Sequence, residues 1–160
     1  MEKKYKLTEE SINFFDRTLY RIEAIRDFAN ITKGQKGGFV ETESNLSQVG
    51  NAWVYDNAKV CGNAKVSGNA EVYGDAKVYG NAKVSSNADY IVFKNWWSSG
   101  RHFTWTRSNN KWNVGCFYGT GEELIKRAYK DSEKSGREYE RIVKYVWAIL
   151  ADDKKKTNEL

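Results

Sequence analysis

From Gly50 the chain repeats itself every six residues, as GNAWVY, DNAKVC, GNAKVS, GNAEVY, GDAKVY, GNAKVS and a decayed SNADYI ending at Ile91. Every copy has Asn or Asp, then Ala, then, two residues on, Val, with Tyr90 in place of Val in the last. A helix would smear a period of six around its circumference, because about 3.6 residues make a turn. A single flat strand of 42 residues is equally excluded, since strands usually run to roughly 3–10 residues. Short Ala-x-Val units separated by Gly-Asn read instead as strand, turn, strand, turn. Ala and Val lie two apart and so point to the same side of a strand. Gly, Asn and Asp tolerate the left-handed backbone that a tight corner needs. Three such units per turn predict a short parallel β-solenoid over residues 50–91. Val fills its interior, Ala permits close approach and Asn supplies the corner.

With three hexads per turn, residue i lies over residue i+18, roughly 4.8 Å away. Lys59 then stacks on Lys77 and Lys65 on Lys83, giving two lysine ladders. Tyr55 stacks on Tyr73 on the third face, beside Trp53 and Glu71. The ladders read either as solvated flanks that discourage strand pairing or as secondary basic sites for an anionic partner. The motif resembles the hexapeptide-repeat, left-handed β-helix family known from acyltransferases and γ-class carbonic anhydrases. The resemblance implies a mainly β fold whose centre is a short left-handed parallel β-helix of little more than two turns. An acyltransferase of this kind needs a catalytic His, usually near an inserted loop, and a trimer groove for the acyl carrier. The repeats hold no His and no insertion, so a degenerate acyltransferase with His102 as general base stands only as an alternative. The zinc site of the carbonic anhydrases requires three His, and this chain has one.

A solenoid exposes unpaired strand edges at both ends and needs a cap at each. Residues 1–49 are expected to form the N-terminal cap. Leu19–Phe28 is partly alternating and strand-like, and a Gly-rich turn, Lys33–Val40, leads into the first turn of the solenoid. That turn lacks the Lys-Ser/Thr ending of a phosphate loop. Residues 92–151 are expected to form a C-terminal ββαα cap. Arg101–Arg107 and Lys111–Tyr118 pair through a three-residue loop at Ser108-Asn109-Asn110. Thr120 and Glu123 make a capping box that opens a helix through about Glu133. Gly136 breaks it, and a second helix carries Tyr139, Ile142, Val143, Val146 and Leu150 at helical spacing. Residues 152–160 read as a loose polar tail. The helix start at Gly119-Thr120-Gly121 offers N–H groups to an anion, but Thr120 capping its own helix accounts for it.

The formal charge of +5 is local. The acid-free window 92–119 supplies Lys94, Arg101, Arg107 and Lys111, together with four of the six Trp. On the expected register Arg101, Phe103, Trp105, Arg107 and Lys111 share one hairpin face, with Trp96 and Trp97 just upstream. Three readings of that face stay open: core packing beneath the helices, a protein interface rich in Trp and Arg, or stacking and phosphate contacts with nucleic acid. Cys61 and Cys116 are single, with no metal or redox spacing. Cys61 follows a Val and is expected to face outward as a modifiable thiol. The expected site has no catalytic residue, metal or cofactor.

No apolar run approaches the roughly 20 residues of a membrane span. The start reads Met1-Glu2-Lys3-Lys4 without an apolar stretch behind it. Two unpaired cysteines suit a reducing compartment, so the expected location is the cytoplasm of a bacterial host cell. The overall layout combines a Tyr-Arg-Ile strand, Gly-Gly-Phe-Val, the Asn-Ala-x-Val array and a Gly-Cys-Phe-x-Gly-Thr junction. It resembles proteins of bacterial phages and prophages, a pool in which inhibitors of host defence are frequent. The resemblance implies a non-enzymatic binding protein, an anti-CRISPR-like inhibitor of a host defence nuclease or ribonucleoprotein, working as a homodimer or homotrimer. The alternative is nucleic-acid or nucleotide-signal binding through the basic aromatic hairpin.

Overall fold

The computed structural model describes residues 2–158. The chain is mainly β, with two helices at its C-terminal end. Its strands are β1 (Tyr5–Phe14), β2 (Arg17–Ala24), β3 (Lys36–Val40), β4 (Trp53–Val54), β5 (Lys59–Val60), β6 (Lys65–Val66), β7 (Glu71–Val72), β8 (Lys77–Val78), β9 (Lys83–Val84), β10 (Tyr90–Lys94), β11 (His102–Thr106), β12 (Lys111–Val114) and β13 (Phe117–Gly119). The helices are α1 (Gly121–Asp131) and α2 (Glu133–Asn158).

The hexads form three short parallel ladders. β4 pairs with β7, β5 with β8 and β6 with β9, and all three share the expected offset of 18 residues, as in Lys59 beside Lys77 and Lys65 beside Lys83. The Ala and Val of every unit from Ala52 to Val84 are buried together. The corners rest on Gly50, Gly62, Gly68, Gly74 and Gly80, each at φ between +63° and +81°, where a side chain would strain the backbone. Asp56 takes the same left-handed conformation at the start of the hexad DNAKVC, where it replaces the Gly.

The parallel pairing begins before Gly50. β3 joins β5 in parallel, with Val40 beside Val60, and Leu46 bridges Val66. Here the offset is 20 because two extra residues lie in the corner between Leu46 and Val54. Gln48, within that corner, accepts from the Lys4 and Tyr5 amides at 2.8 and 3.3 Å and so ties it to β1. β1 and β2 form an antiparallel hairpin that continues through β3 into the same sheet.

The last hexad leaves the ladders. After a turn at Asn87–Asp89, Tyr90–Lys94 becomes the edge of an antiparallel sheet ordered β10-β11-β12-β13. The expected pair of strands is therefore four. Phe103, Trp105 and Trp112 on one face of this sheet pack on Leu124, Ala128, Tyr139, Val143 and Val146 of the helices, in a core separate from the Ala/Val interior.

Two expectations about the helices change. The break falls at Ser132, whose hydroxyl accepts from the Ser135 amide at 3.0 Å and caps the next helix. Gly136 lies inside α2, where a Cβ would come within 2.2 Å of the Tyr129 ring, so it permits close helix contact rather than ending a helix. The stretch expected as a loose tail is helical as far as Asn158, and its last two residues lie outside the described ones. No helix among the described residues is long and apolar enough to cross a membrane.

Candidate functional site

The hairpin register decides what the basic aromatic window presents. Trp105 pairs with Trp112, Thr104 with Asn113 and Thr106 with Lys111, so the loop has four residues, not three. A slip of one residue exchanges the faces of a strand. Phe103 and Trp105 consequently lie on the inner face with Trp112, about 1 % exposed or less, and Lys111 lies on the opposite face. The Trp105 indole donates to the Asn110 side chain at 2.9 Å, so even its polar edge is satisfied internally. Arg107 packs over the Trp105 ring and spends its charge on Asp153 of α2, with Nε donating to the Ala88 carbonyl at 3.1 Å. Trp97 is half-buried, donating to Ser135 at 3.0 Å and packing edge-on against Tyr139. Trp96 is 64 % exposed, with the Lys134 ammonium 5.5 Å from its ring centre. Of the seven residues expected to meet a partner, Arg101 and Trp96 remain fully on the surface.

Arg101 belongs with a different set. Lys59 and Lys77 stand side by side on β5 and β8, and the Phe14 ring lies 6.0 and 5.5 Å from their ammonium groups. Among the described residues none of Lys59, Lys77 and Arg101 makes an ion pair. Burial, then repulsion from Lys59 and Arg101, lowers the Lys77 pKa, with Asp75 opposing. The three cations therefore form a strip with an unmet demand for negative charge. The second ladder, Lys65 and Lys83, is fully exposed and flanks a wide groove of about 740 Å³ bordered by Glu43, Gln48 and Ser85.

One constellation was not expected. His102 Nδ1 lies 3.1 Å from the Asp75 carboxylate, at the edge of an open groove of about 450 Å³ that Tyr73, Asn87 and Tyr90 also line. Asp75 is the single Asp among the second positions of the hexads, and that departure was the available signal. Tyr73 stacks on Tyr55 at 4.3 Å and donates to Glu71 at 2.6 Å, which fixes one wall of the groove.

The remaining candidates resolve simply. Cys61 is buried beneath the β1–β2 hairpin with Leu19 and Phe39, and burial pushes its thiol up to about 12. It is not the outward, modifiable thiol expected, because the hairpin covers that face. Thr120 does cap α1, accepting from the Glu123 amide at 3.2 Å while Glu123 reaches back to Thr120. No group of three His, Cys, Asp or Glu that could hold a metal occurs among the described residues.

No family model matches the chain. Over 62 residues it is 40 % identical to an uncharacterized acetyltransferase, YdcK, of Escherichia coli strain K12. That stretch covers 34 % of this chain and 19 % of the length of the relative.

Proposed function

We propose that the three ladders are the three faces of a short left-handed β-helix and that the chain is a non-enzymatic binding protein docking an acidic partner on the strip Lys59, Lys77 and Arg101. The shared offset of 18 residues supports the first part, together with the partial similarity to an acetyltransferase. The observation that carries the second is the gathering of three cations on one surface, from two different parts of the chain, without an ion pair for any of them. The resemblance to phage and prophage proteins makes a nuclease or ribonucleoprotein of host defence the partner class of this reading.

Capture of partners from bacterial lysate, with and without nuclease, tests it. The triple change Lys59→Glu, Lys77→Glu and Arg101→Glu is expected to abolish a nuclease-resistant capture. Retention of the wild-type set of partners overturns the assignment of the strip. Binding that disappears with nuclease moves the reading to nucleic acid held through its backbone, since Phe103 and Trp105 are not available to stack bases. Light scattering of the same sample reads whether the working form is the expected dimer or trimer.

A second reading is favoured by His102 and Asp75 and by the acetyltransferase similarity. With Nδ1–H donated to Asp75, the imidazole leaves Nε2 free to take a proton from an acceptor hydroxyl or amine attacking an acyl thioester. Turnover of acetyl-CoA that is lost in His102→Ala and strongly reduced in Asp75→Asn supports this reading. No turnover over a panel of amine and hydroxyl acceptors removes it.

A further inference from the structure

The tip of the β1–β2 hairpin carries two adjacent phenylalanines that behave differently. Phe14 packs toward Leu19, Phe39 and Cys61, whereas Phe15 is 62 % exposed and sits at φ +58°. A bulky residue rarely takes that left-handed conformation, and persistent backbone strain of this kind concentrates at functional sites. The two rings meet edge-on at 4.6 Å. Opposite them stand Tyr79 and the segment Cys116-Phe117-Tyr118, and between these walls lies an apolar pocket of about 170 Å³. Its size decides what it can hold. An apolar cavity of roughly 150 Å³ accepts one benzene ring, so this one takes a single aromatic or leucyl side chain and not a length of backbone.

The charge around the pocket selects what flanks that side chain. Asp16 is the one carboxylate on the lining, and Arg17, also on the lining, is already committed to Glu41 at 2.8 Å and to the Tyr79 hydroxyl at 3.1 Å. Lys59 and Lys77 adjoin the pocket through Phe14, and Arg127 reaches the Cys116 sulfur at 4.0 Å. None of these three makes an ion pair among the described residues. Three unpaired cations around one carboxylate favour an acidic segment.

We propose that this pocket anchors one phenylalanine or leucine of a partner protein, presented on a segment whose neighbouring residues are acidic. The inference rests on the binding reading above and names the chemistry of the partner. It explains why an exposed Phe is held at a strained turn: the ring completes one wall of the pocket while its neighbour touches the basic strip.

The test uses the full chain, isotope-labelled for amide NMR, and three synthetic pentapeptides: Asp-Glu-Phe-Glu-Asp, the same with Ala for Phe, and the same with Lys for each acid. The Phe peptide is expected to shift the amides of residues 14–17 and 115–118. The Ala peptide should bind about 10- to 100-fold more weakly, the scale of burying one large apolar side chain. The Lys peptide should not bind. Phe15→Gly should lose the preference for Phe over Ala, and since Gly accepts a positive φ freely the fold is retained. Equal binding of the Phe and Ala peptides overturns the anchor while leaving the basic strip standing as a docking surface. Binding of oligothymidylate on the same amides, with no acidic peptide bound, overturns it in favour of nucleic acid. Failure of all three peptides overturns this inference, while capture from lysate decides the binding reading separately.

Discussion

Lys4 shows how a single residue holds the N-terminal strands to the ladders. It is fully buried, and its ammonium donates to the Gly50 and Ala52 carbonyls at 3.1 and 2.7 Å while lying 5.0 Å from the Phe28 ring centre. Burial, with repulsion from Arg26, lowers its pKa from 10.5 to about 8. Below about pH 8 both folded and unfolded chains carry this proton, and keeping the charge buried is a constant cost. Between about 8 and 10.5 the folded chain loses it first, the unfolded state binds more protons, and stability rises with pH. Lys4→Met removes that contribution. Urea unfolding at pH 7.5 and 10 is expected to show the wild type gaining on Lys4→Met by roughly 2–3 kcal/mol across the interval. Comparing the two chains matters because Cys61 and Tyr5, whose pKa values burial raises, act in the opposite direction and are common to both. An unchanged difference would show that Lys4 is solvated in solution.

At the scale of elements, the end of the ladders is closed by side chains of the antiparallel sheet and of the turns that flank its strands. Thr104 accepts from the Lys77 amide at 2.9 Å, Ser108 from Lys83 at 2.7 Å, Asn87 from Glu71 at 2.7 Å and Tyr90 from Tyr73 at 3.2 Å. These are the N–H groups that a further parallel strand would otherwise take. Thr104 is wholly buried, so Thr104→Val keeps its shape and leaves the Lys77 amide without a partner. Chemical denaturation should report a loss of about 1–3 kcal/mol, with faster hydrogen exchange at Lys77. Gly80 marks the same joint, for a Cβ there would meet the Tyr118 hydroxyl at 2.0 Å on a backbone already at φ +69°. Gly80→Ala should destabilise by at least about 1–2 kcal/mol, whereas Gly74→Ala, at similar φ but in open space, carries the backbone cost alone. A smaller loss for Gly80 than for Gly74 would show that the joint is looser than described.

These elements also show what was readable beforehand. The period of six and the spacing of Ala and Val fixed the ladder register, because one offset satisfies every copy at once. The capping box at Thr120 was equally direct. The hairpin register was not, since Ser108-Asn109-Asn110 suits a three-residue loop as well as the four-residue one that forms, and the two registers place Trp112 on opposite faces relative to Phe103 and Trp105. The choice came from burying Phe103, Trp105 and Trp112 together under the helices, a tertiary preference. The basic strip was hidden for a similar reason: its cations come from positions 59, 77 and 101, and only the contact of β11 with β8 unites them. Gly136 read as a helix breaker because the Tyr129 ring it accommodates is invisible at the level of propensity.

The molecule joins two main cores end to end, with a smaller cluster of Leu19, Phe39 and Cys61 beneath the β1–β2 hairpin. The Ala/Val interior runs from Tyr5 to Val84, and the second core gathers β10–β13 and both helices. They meet through β10, whose Tyr90 and Val92 pack on the first core and whose Ile91 and Phe93 pack on the second, through the side-chain caps on β7, β8 and β9, and through the Tyr79–Tyr118 contact at 5.1 Å. Deleting residues 92–160 keeps Asn87 and Tyr90 on β7 but removes Val92 from the first core and uncovers the N–H groups of Lys77 and Lys83 at the ends of β8 and β9. An uncovered parallel edge is a template for another chain, and terminal capping units keep such arrays soluble. The shortened chain is thus expected to retain β-sheet circular dichroism while associating in a concentration-dependent way. Light scattering should detect the association, and it should weaken when a charge is placed at the exposed new edge, as in Ser85→Lys. A monomeric, β-structured 1–91 chain would show that the edge is protected by its own lysines, Lys77 and Lys83. An unfolded one would show that the second core is needed for the first to form, and that the two are one cooperative unit.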